Sequence, residues 1–448
     1  MSVTQRDGFT SKFGVLVAVA GSAIGLGNLW RFPYMVGTYG GAAFIILYLI
    51  FVVVICMPIL FSEFIIGRRT QANVFGAFRK LAPGSAWPGI GFLSVLASLC
   101  IMSFYSVVGG WTLKYIQMSL TGVFSVNDGG AKLESVFSQF ISSPAEPIFW
   151  HLLFLALSGL IVLFGIKQGI EKYSKILMPL LFFMVVLLAV RSVTLTGAGE
   201  GITFLFKPDF SKITNEAILG ALGQAFFSLS LGMGCVITYG SYVKKKANLV
   251  NTSFMVVLAD TGFALLAGLA IMPAVFAFGI APGEGPSLVF ITVPKIFMQL
   301  PFGQFFSMVF FFVLMVAALT SAISMIEVVV AYLLEEFKIK RGIAVAITIG
   351  AIGLAGSFSS LSQGSMSDFT IFGKNVFDLF DYISSNILLP LGGLLIVLFV
   401  GWKMKRADVY DELTNGGTVQ MRLFGVMMFL LKYIIPVAIA IVLINSAF

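Results

Sequence analysis

The sequence predicts an all-α integral membrane protein of about eleven transmembrane helices. Three observations carry this expectation. Hydrophobic residues make up 58% of the 448-residue chain and charged residues only 11%, about half the charge of a soluble domain. That leaves too little polar side chain to cover a water-facing surface. Eleven apolar runs of spanning length follow one another with no soluble domain left over. Finally, the basic residues fall mainly on alternate connections, as they do in helical membrane proteins.

A spanning helix needs about 20 mainly apolar residues. The candidate spans, numbered in chain order, lie near 12–36, 41–66, 88–118, 149–166, 173–192, 215–243, 252–278, 303–336, 342–360, 376–402 and 421–446. The first run is too long for a cleavable signal peptide and is followed by many others. The longest connection, 119–148, is rich in Asn, Asp, Gly, Ser and Pro and is expected to be an external loop.

With the N-terminus in the cytoplasm, 19 of the 28 basic residues fall on that side. They include Arg68, Arg79, Lys167, Lys244, Lys338 and Lys405. The opposite orientation would put two-thirds of the positive charge outside, against the bias that sets topology. An odd span count then places the C-terminus outside. The expected location is a bacterial inner (plasma) membrane.

The net charge of +8 does not imply a nucleic-acid partner, because the basic residues are scattered over short loops and form no patch or stripe. Cys56, Cys100 and Cys235 lie in apolar runs without metal-ligand spacing. A membrane enzyme is disfavoured. The lone His151 has no carboxylate or serine partner at a useful spacing, and HExxH and GxSxG are absent.

Two spans are interrupted in the same manner. The first contains Gly25-Leu26-Gly27-Asn28 and the sixth Ser230-Leu231-Gly232-Met233-Gly234. Glycine inside a helix costs roughly 1 kcal/mol against alanine, so both stretches are candidates for local unwinding. At membrane depth, irregular backbone is tolerated only when buried in protein or lining a cavity. A lone pair of glycines would as readily mean close helix packing. Their recurrence in the first span of each of two five-span halves points instead to a transporter binding site. Five spans per half is an odd number, so the second half is expected to insert inverted. The expected division is 1–200, 201–405 and a peripheral last span over 406–448. Half-helix N-termini suit a carboxylate, and freed carbonyls suit a hard cation. The site is therefore expected to take a zwitterion with cations beside it.

The stretch Gly21-Ser22-Ala23-Ile24-Gly25-Leu26-Gly27-Asn28-Leu29-Trp30-Arg31-Phe32-Pro33 resembles the first-helix signature of the neurotransmitter:sodium symporter (NSS) family. Gly40-Gly41-Ala42-Ala43-Phe44, Gln224-Ala225-Phe226-Phe227-Ser228-Leu229-Ser230 and Ala317-Ala318-Leu319-Thr320-Ser321 match further family motifs in order. The resemblance covers the whole chain, and eleven spans suit the bacterial branch. It implies the LeuT-like 5+5 inverted repeat, with helices 1 and 6 unwound at the midplane. It also implies sodium-coupled symport of a small L-amino acid by alternating access. A sensor on the same fold, binding without net transport, is the alternative.

Carried over by position, the resemblance implies two sodium sites. The first takes Ala23, Asn28, Ser228 and Asp260, completed by the substrate carboxylate. The second takes Gly21, Ile24, Ala317, Thr320 and Ser321. Two adjacent hydroxyls in an apolar helix could equally bond back to the preceding turn. Many family members carry an amide at the position of Asp260, and animal members add a serine one turn later, where this chain has Ala264. An intramembrane carboxylate is by default functional. Asp260 is therefore expected to supply the negative charge that chloride supplies elsewhere, with no chloride requirement.

Where monoamine members have an aspartate, Gly25 leaves space for a substrate carboxylate, with Gly27 beside it and Tyr105 as its hydrogen-bond partner. Ala23, Phe227, Ser228 and Ser321 would take the amino group. Ile101, Phe227, Ser230, Met233 and Met325 would line an apolar, adaptable side-chain pocket, which favours a hydrophobic or aromatic amino acid. Arg31 and Asp381 match the family's outer gate, and Arg6 and Glu335 its cytoplasmic gate, with Phe9 and Tyr242 holding the N-terminus down. Glu63 and Glu327 are expected to brace the unwound backbone or make polar packing contacts. Gly169 and Pro179 match a motif linked to unwinding of span 5. The oligomeric state is open.

Overall fold

A computed structural model describes residues 8–123, 131–279, 288–298 and 301–447. Among them helices dominate, and the β pairing is an isolated bridge between Ile371 and Lys374. Nine described helices are long and apolar enough to cross a membrane: Ala42–Thr70, Pro88–Leu120, Glu146–Leu163, Ile166–Val193, Leu249–Ala277, Gly303–Glu336, Arg341–Leu361, Val376–Lys403 and Phe424–Ile444. They correspond to spans 2–5 and 7–11. Span 1 is the bent pair Lys12–Ala23 and Gly27–Thr38, inclined at 48°. Span 6 is split into Asn215–Ser228 and Cys235–Gly240, each too short to cross alone.

Burial sorts the spans into centre and rim. The most apolar stretch of Gly303–Glu336 is 89% buried, against 33% for Phe424–Ile444. Span 8 is thus the axis against which spans 1, 3 and 5 pack, while spans 5 and 11 each leave much of their surface exposed. Large apolar side chains such as Phe182, Phe183, Leu354 and Val437 remain exposed, as the rim of a bundle in hydrocarbon requires.

Polar contacts sort the connections into two ends. At one end Arg68 pairs with Glu412, Arg69 with Asp408, Arg79 with Glu336, and Arg341 with Glu327. The loop after span 6 joins them through Ala247 O, which accepts from Arg68 at 2.6 Å. At the other end Lys114 pairs with Glu146 and Lys295 with Glu134. Spans 2, 6, 8 and 10 therefore end together, as strict alternation demands.

The connection 119–148 is not wholly a loop, because it contains the helix Ala131–Ser142. Leu133, Phe137 and Phe140 of that helix are buried. Phe137 sits edge-on to Trp111 at 5.5 Å and stacks on Phe290 at 5.7 Å. Its polar composition hid a helix whose apolar face is satisfied by aromatic residues from distant spans.

Candidate functional site

The two breaks face each other, and their glycines serve different ends. In span 6, Gly232 and Gly234 adopt φ of +80° and +79°, a region that L side chains rarely enter. Gly25 and Gly27 serve close approach instead. A Cβ on Gly25 would collide with the Ser321 hydroxyl and lie 2.9 Å from the Tyr105 hydroxyl, and one on Gly27 would lie 2.9 Å from the Phe227 ring.

Unwinding frees backbone groups that need partners. The Gly232 amide donates to Glu63 Oε1 at 2.7 Å. Ser94 donates to Gly232 O at 3.2 Å and Ser98 to Met233 O at 2.9 Å. Glu63 therefore braces the break, as expected. Glu327 takes the other expected role, polar packing: it accepts from Tyr242 at 2.8 Å and pairs with Arg341. Ser94 and Ser98 went unnoticed in the sequence. Their signal is two hydroxyls four residues apart, on one face of an apolar helix.

Between the breaks lies a cavity of about 280 Å³. Ala23, Gly25, Gly27, Ile101, Tyr105, Phe227, Ser230, Met233, Ser321 and Met325 all border it, with Ser22 as the member the sequence did not suggest. Ser228 is absent from this wall. Its hydroxyl is turned to Asp260, donating at 2.9 and 3.0 Å to the two carboxylate oxygens. Tyr105 accepts from the Leu26 amide at 3.3 Å, which ties the cavity wall to the first break.

Behind the cavity is a wholly buried polar cluster. Asn28 Nδ2 donates to Asp260 Oδ1 at 2.8 Å, to Asp260 O at 3.2 Å and to Ser228 Oγ at 3.1 Å. Asn28 Oδ1 accepts from the Gly25 amide at 3.1 Å. Tyr48, which the sequence reading passed over, donates to Asp260 Oδ2 at 3.3 Å. Carboxylate, amide and hydroxyl oxygens of this kind suit a hard cation. No cluster of three or more His, Cys, Asp or Glu exists among the described residues.

A second oxygen-rich spot joins spans 1 and 8. Ser321 Oγ donates to Ser22 O at 3.1 Å and reaches Gly21 O at 3.4 Å. Thr320 Oγ1 instead bonds back to Ala317 O at 3.0 Å and Val316 O at 3.2 Å. Gly21 packs against Met178 and Thr320, which brings Pro179's helix to the same place. The chain at Ile24 is extended (φ −75°, ψ 98°).

The four residues matched to the family's gates are placed unequally. Arg31 and Asp381 border one vestibule of about 1170 Å³, but no ion pair joins them among the described residues. Arg31 lies over the Phe227 ring at 4.9 Å, while Asp381 Oδ1 accepts from Ser385 at 2.9 Å. Glu335 accepts from the Asn73 amide at 2.8 Å, and its proposed partner Arg6 lies outside the described residues. Phe9 is buried edge-on to Tyr239 at 5.8 Å, and its amide donates to Tyr242 O at 3.3 Å.

The model of the sodium:neurotransmitter symporter family matches residues 6–135 and 132–448. The chain belongs to this symporter family. A sodium-dependent transporter of Bacillus subtilis, YhdH, is 44% identical over 99% of this chain and 98% of its own length. One from Haemophilus influenzae is 39% identical, over 99% of each chain. The sodium- and chloride-dependent GABA transporter 2 of Bos taurus is 28% identical over 92% of this chain and 75% of its own. The structure of MhsT in complex with L-phenylalanine superposes with a TM-score of 0.93 at 44% identity, covering 99% of this chain and 100% of that one. This symporter-family chain is thus a membrane transporter with the LeuT-like fold.

Proposed function

We propose that the chain imports a hydrophobic or aromatic L-amino acid together with sodium and without a requirement for chloride. The observation that carries this reading is the cavity between the two breaks, apolar through Ile101, Phe227, Met233 and Met325 and polar at Gly25 and Tyr105. The carboxylate of a substrate would meet the freed amides near Gly25 and the Tyr105 hydroxyl. Its amino group would meet the Ala23 and Ser321 side of the cavity. Its side chain would fill the apolar end, and the L-phenylalanine in the MhsT structure supports that size of side chain.

One sodium ion would be held by Ala23, Asn28, Ser228 and Asp260, and a second by Gly21, Ile24, Ala317, Thr320 and Ser321. Entry at the first would pull Asn28 Oδ1 and Ser228 Oγ from their present partners toward the ion. Asp260, buried and without a cationic partner among the described residues, would supply the anionic charge that balances it. Moving one charge through 100 mV is worth about 2.3 kcal/mol. Two sodium ions with a neutral amino acid therefore yield roughly 4.6 kcal/mol, enough for about thousandfold accumulation. Rocking of one helix bundle against the other would expose the cavity to each side in turn. The basic end faces the cytoplasm in this reading, in keeping with lysine and arginine bias.

The test is uptake of radiolabelled L-leucine, L-tyrosine and L-tryptophan into proteoliposomes under an inward sodium gradient, with a gluconate arm replacing chloride. Sodium-dependent accumulation in both anions is expected. Saturable binding without accumulation would make the protein a sensor, and loss of uptake in gluconate would remove the role given to Asp260.

A further inference from the structure

Two apolar clefts open on the rim of the bundle and meet at the same two side chains. The larger, of about 1650 Å³, lies between spans 2, 7 and 11, with Val53, Met57, Phe61, Phe254, Val426 and Leu430 in its wall. The smaller, of about 890 Å³, lies between Lys12–Ala23 and span 7, with Phe13, Leu16 and Met255 in its wall. Asn248 and Asn251, at the start of span 7, border both. From Phe61 to Val53 the larger cleft follows its helix for about 12 Å, at 1.5 Å per residue. A concave channel of that depth differs from the convex surface that ordinary bilayer lipid coats.

The junction of the clefts carries surplus positive charge. Lys12 borders the smaller cleft and Arg422 the larger. Lys244, Lys245 and Lys246 are exposed and directly precede Ala247 and Asn248. None of these five cations has an ion pair among the described residues, although Arg68 and Arg69 at the same end are neutralised by Glu412 and Asp408. Asn248 Oδ1 accepts from the Asn251 amide at 3.0 Å, while its Nδ2 has no hydrogen-bond partner among the described residues. Amide donors and cations above two apolar channels match the chemistry of a diacyl glycerophosphate headgroup. Basic pockets between spanning helices hold anionic lipids in this way.

We propose that these clefts form a specific site for one anionic diacyl phospholipid. One acyl chain lies in each cleft, and the phosphate sits at Asn248 and Asn251 between Lys12 and Arg422. The chain in the smaller cleft packs on Lys12–Ala23, the half of span 1 that leads to the first break. Occupancy is therefore coupled to the position of that half-helix, a link that does not depend on which substrate the cavity takes.

Native mass spectrometry of the detergent-purified protein, titrated with phosphatidylglycerol or phosphatidylcholine of the same chains, tests this. One phosphatidylglycerol is expected to remain bound, at least about fivefold tighter than phosphatidylcholine, a margin set by headgroup charge. Arg422→Gln is expected to erase that preference. Val54→Trp, which fills the larger cleft, is expected to weaken both lipids. Thermal unfolding of each variant matching the wild type would show that the fold is intact. Equal retention of the two lipids, or preference unchanged in Arg422→Gln, would overturn the proposal. So would a dimer that forms only as lipid is stripped and is lost in Val54→Trp, which would assign the clefts to a second copy of the chain.

Discussion

Asn28 Nδ2 and Asp260 Oδ1 lie 2.8 Å apart, joining the first break to the middle of span 7. The same amide group accepts from the Gly25 amide at 3.1 Å. One side chain thus ties the carboxylate to the backbone bordering the cavity, so the proposed ion and substrate positions are mechanically linked.

Asp260→Asn keeps the shape of this cluster and removes its charge. Hydrogen bonds to charged groups contribute about 1.5–3 kcal/mol. Sodium affinity in the variant should therefore fall by roughly 10- to 100-fold. Sodium-dependent thermal stabilisation, measured in chloride and in gluconate, would show this. Unchanged sodium dependence would remove Asp260 from the ion site.

Glu63 accepts from the Gly232 amide at 2.7 Å inside the bundle. Glu63→Gln retains an acceptor and should unfold close to the wild type. Glu63→Ala leaves a buried N–H unsatisfied and should lose about 1–3 kcal/mol. A thermal midpoint for the alanine variant equal to that of the glutamine variant would contradict this account.

Gly25→Ala sets a methyl group against Ser321 and Tyr105. Overpacking costs about 1–3 kcal/mol, and here it falls on the cavity wall. Substrate affinity should fall by about tenfold or more, and because the displaced Ser321 is assigned to the second sodium site, sodium-induced stabilisation should weaken with it. Equilibrium binding of labelled amino acid checks this, and normal affinity would place the substrate elsewhere.

Arg68 is buried and gives its guanidinium to Glu412, Ala247 O and Asn415. Breaking a buried ion pair from one side costs about 3–5 kcal/mol, whereas replacing both partners by apolar groups can be neutral. Arg68→Met should lower the unfolding temperature markedly, and Arg68→Met with Glu412→Leu should recover much of it. Additive losses in the double variant would show that the backbone acceptors, not Glu412, dominate.

Much of this protein was legible in order along the chain. Apolar runs marked the spans, basic residues marked one set of ends, and paired glycines marked both breaks, because length, charge and backbone freedom are local properties. The cavity wall was legible through family motifs that keep their spacing. Tertiary structure alone decided the rest. It divided the glycines into those needed for positive φ and those needed for space, since the second role depends on Ser321 and Phe227, hundreds of residues away. It turned Ser228 from the cavity to Asp260 and brought Tyr48 to the same carboxylate. It also sent Thr320 back to its own helix while Ser321 reached across to span 1. Sequence specifies which donors and acceptors exist, but burial compels each to find a partner, and only packing determines which one is within reach.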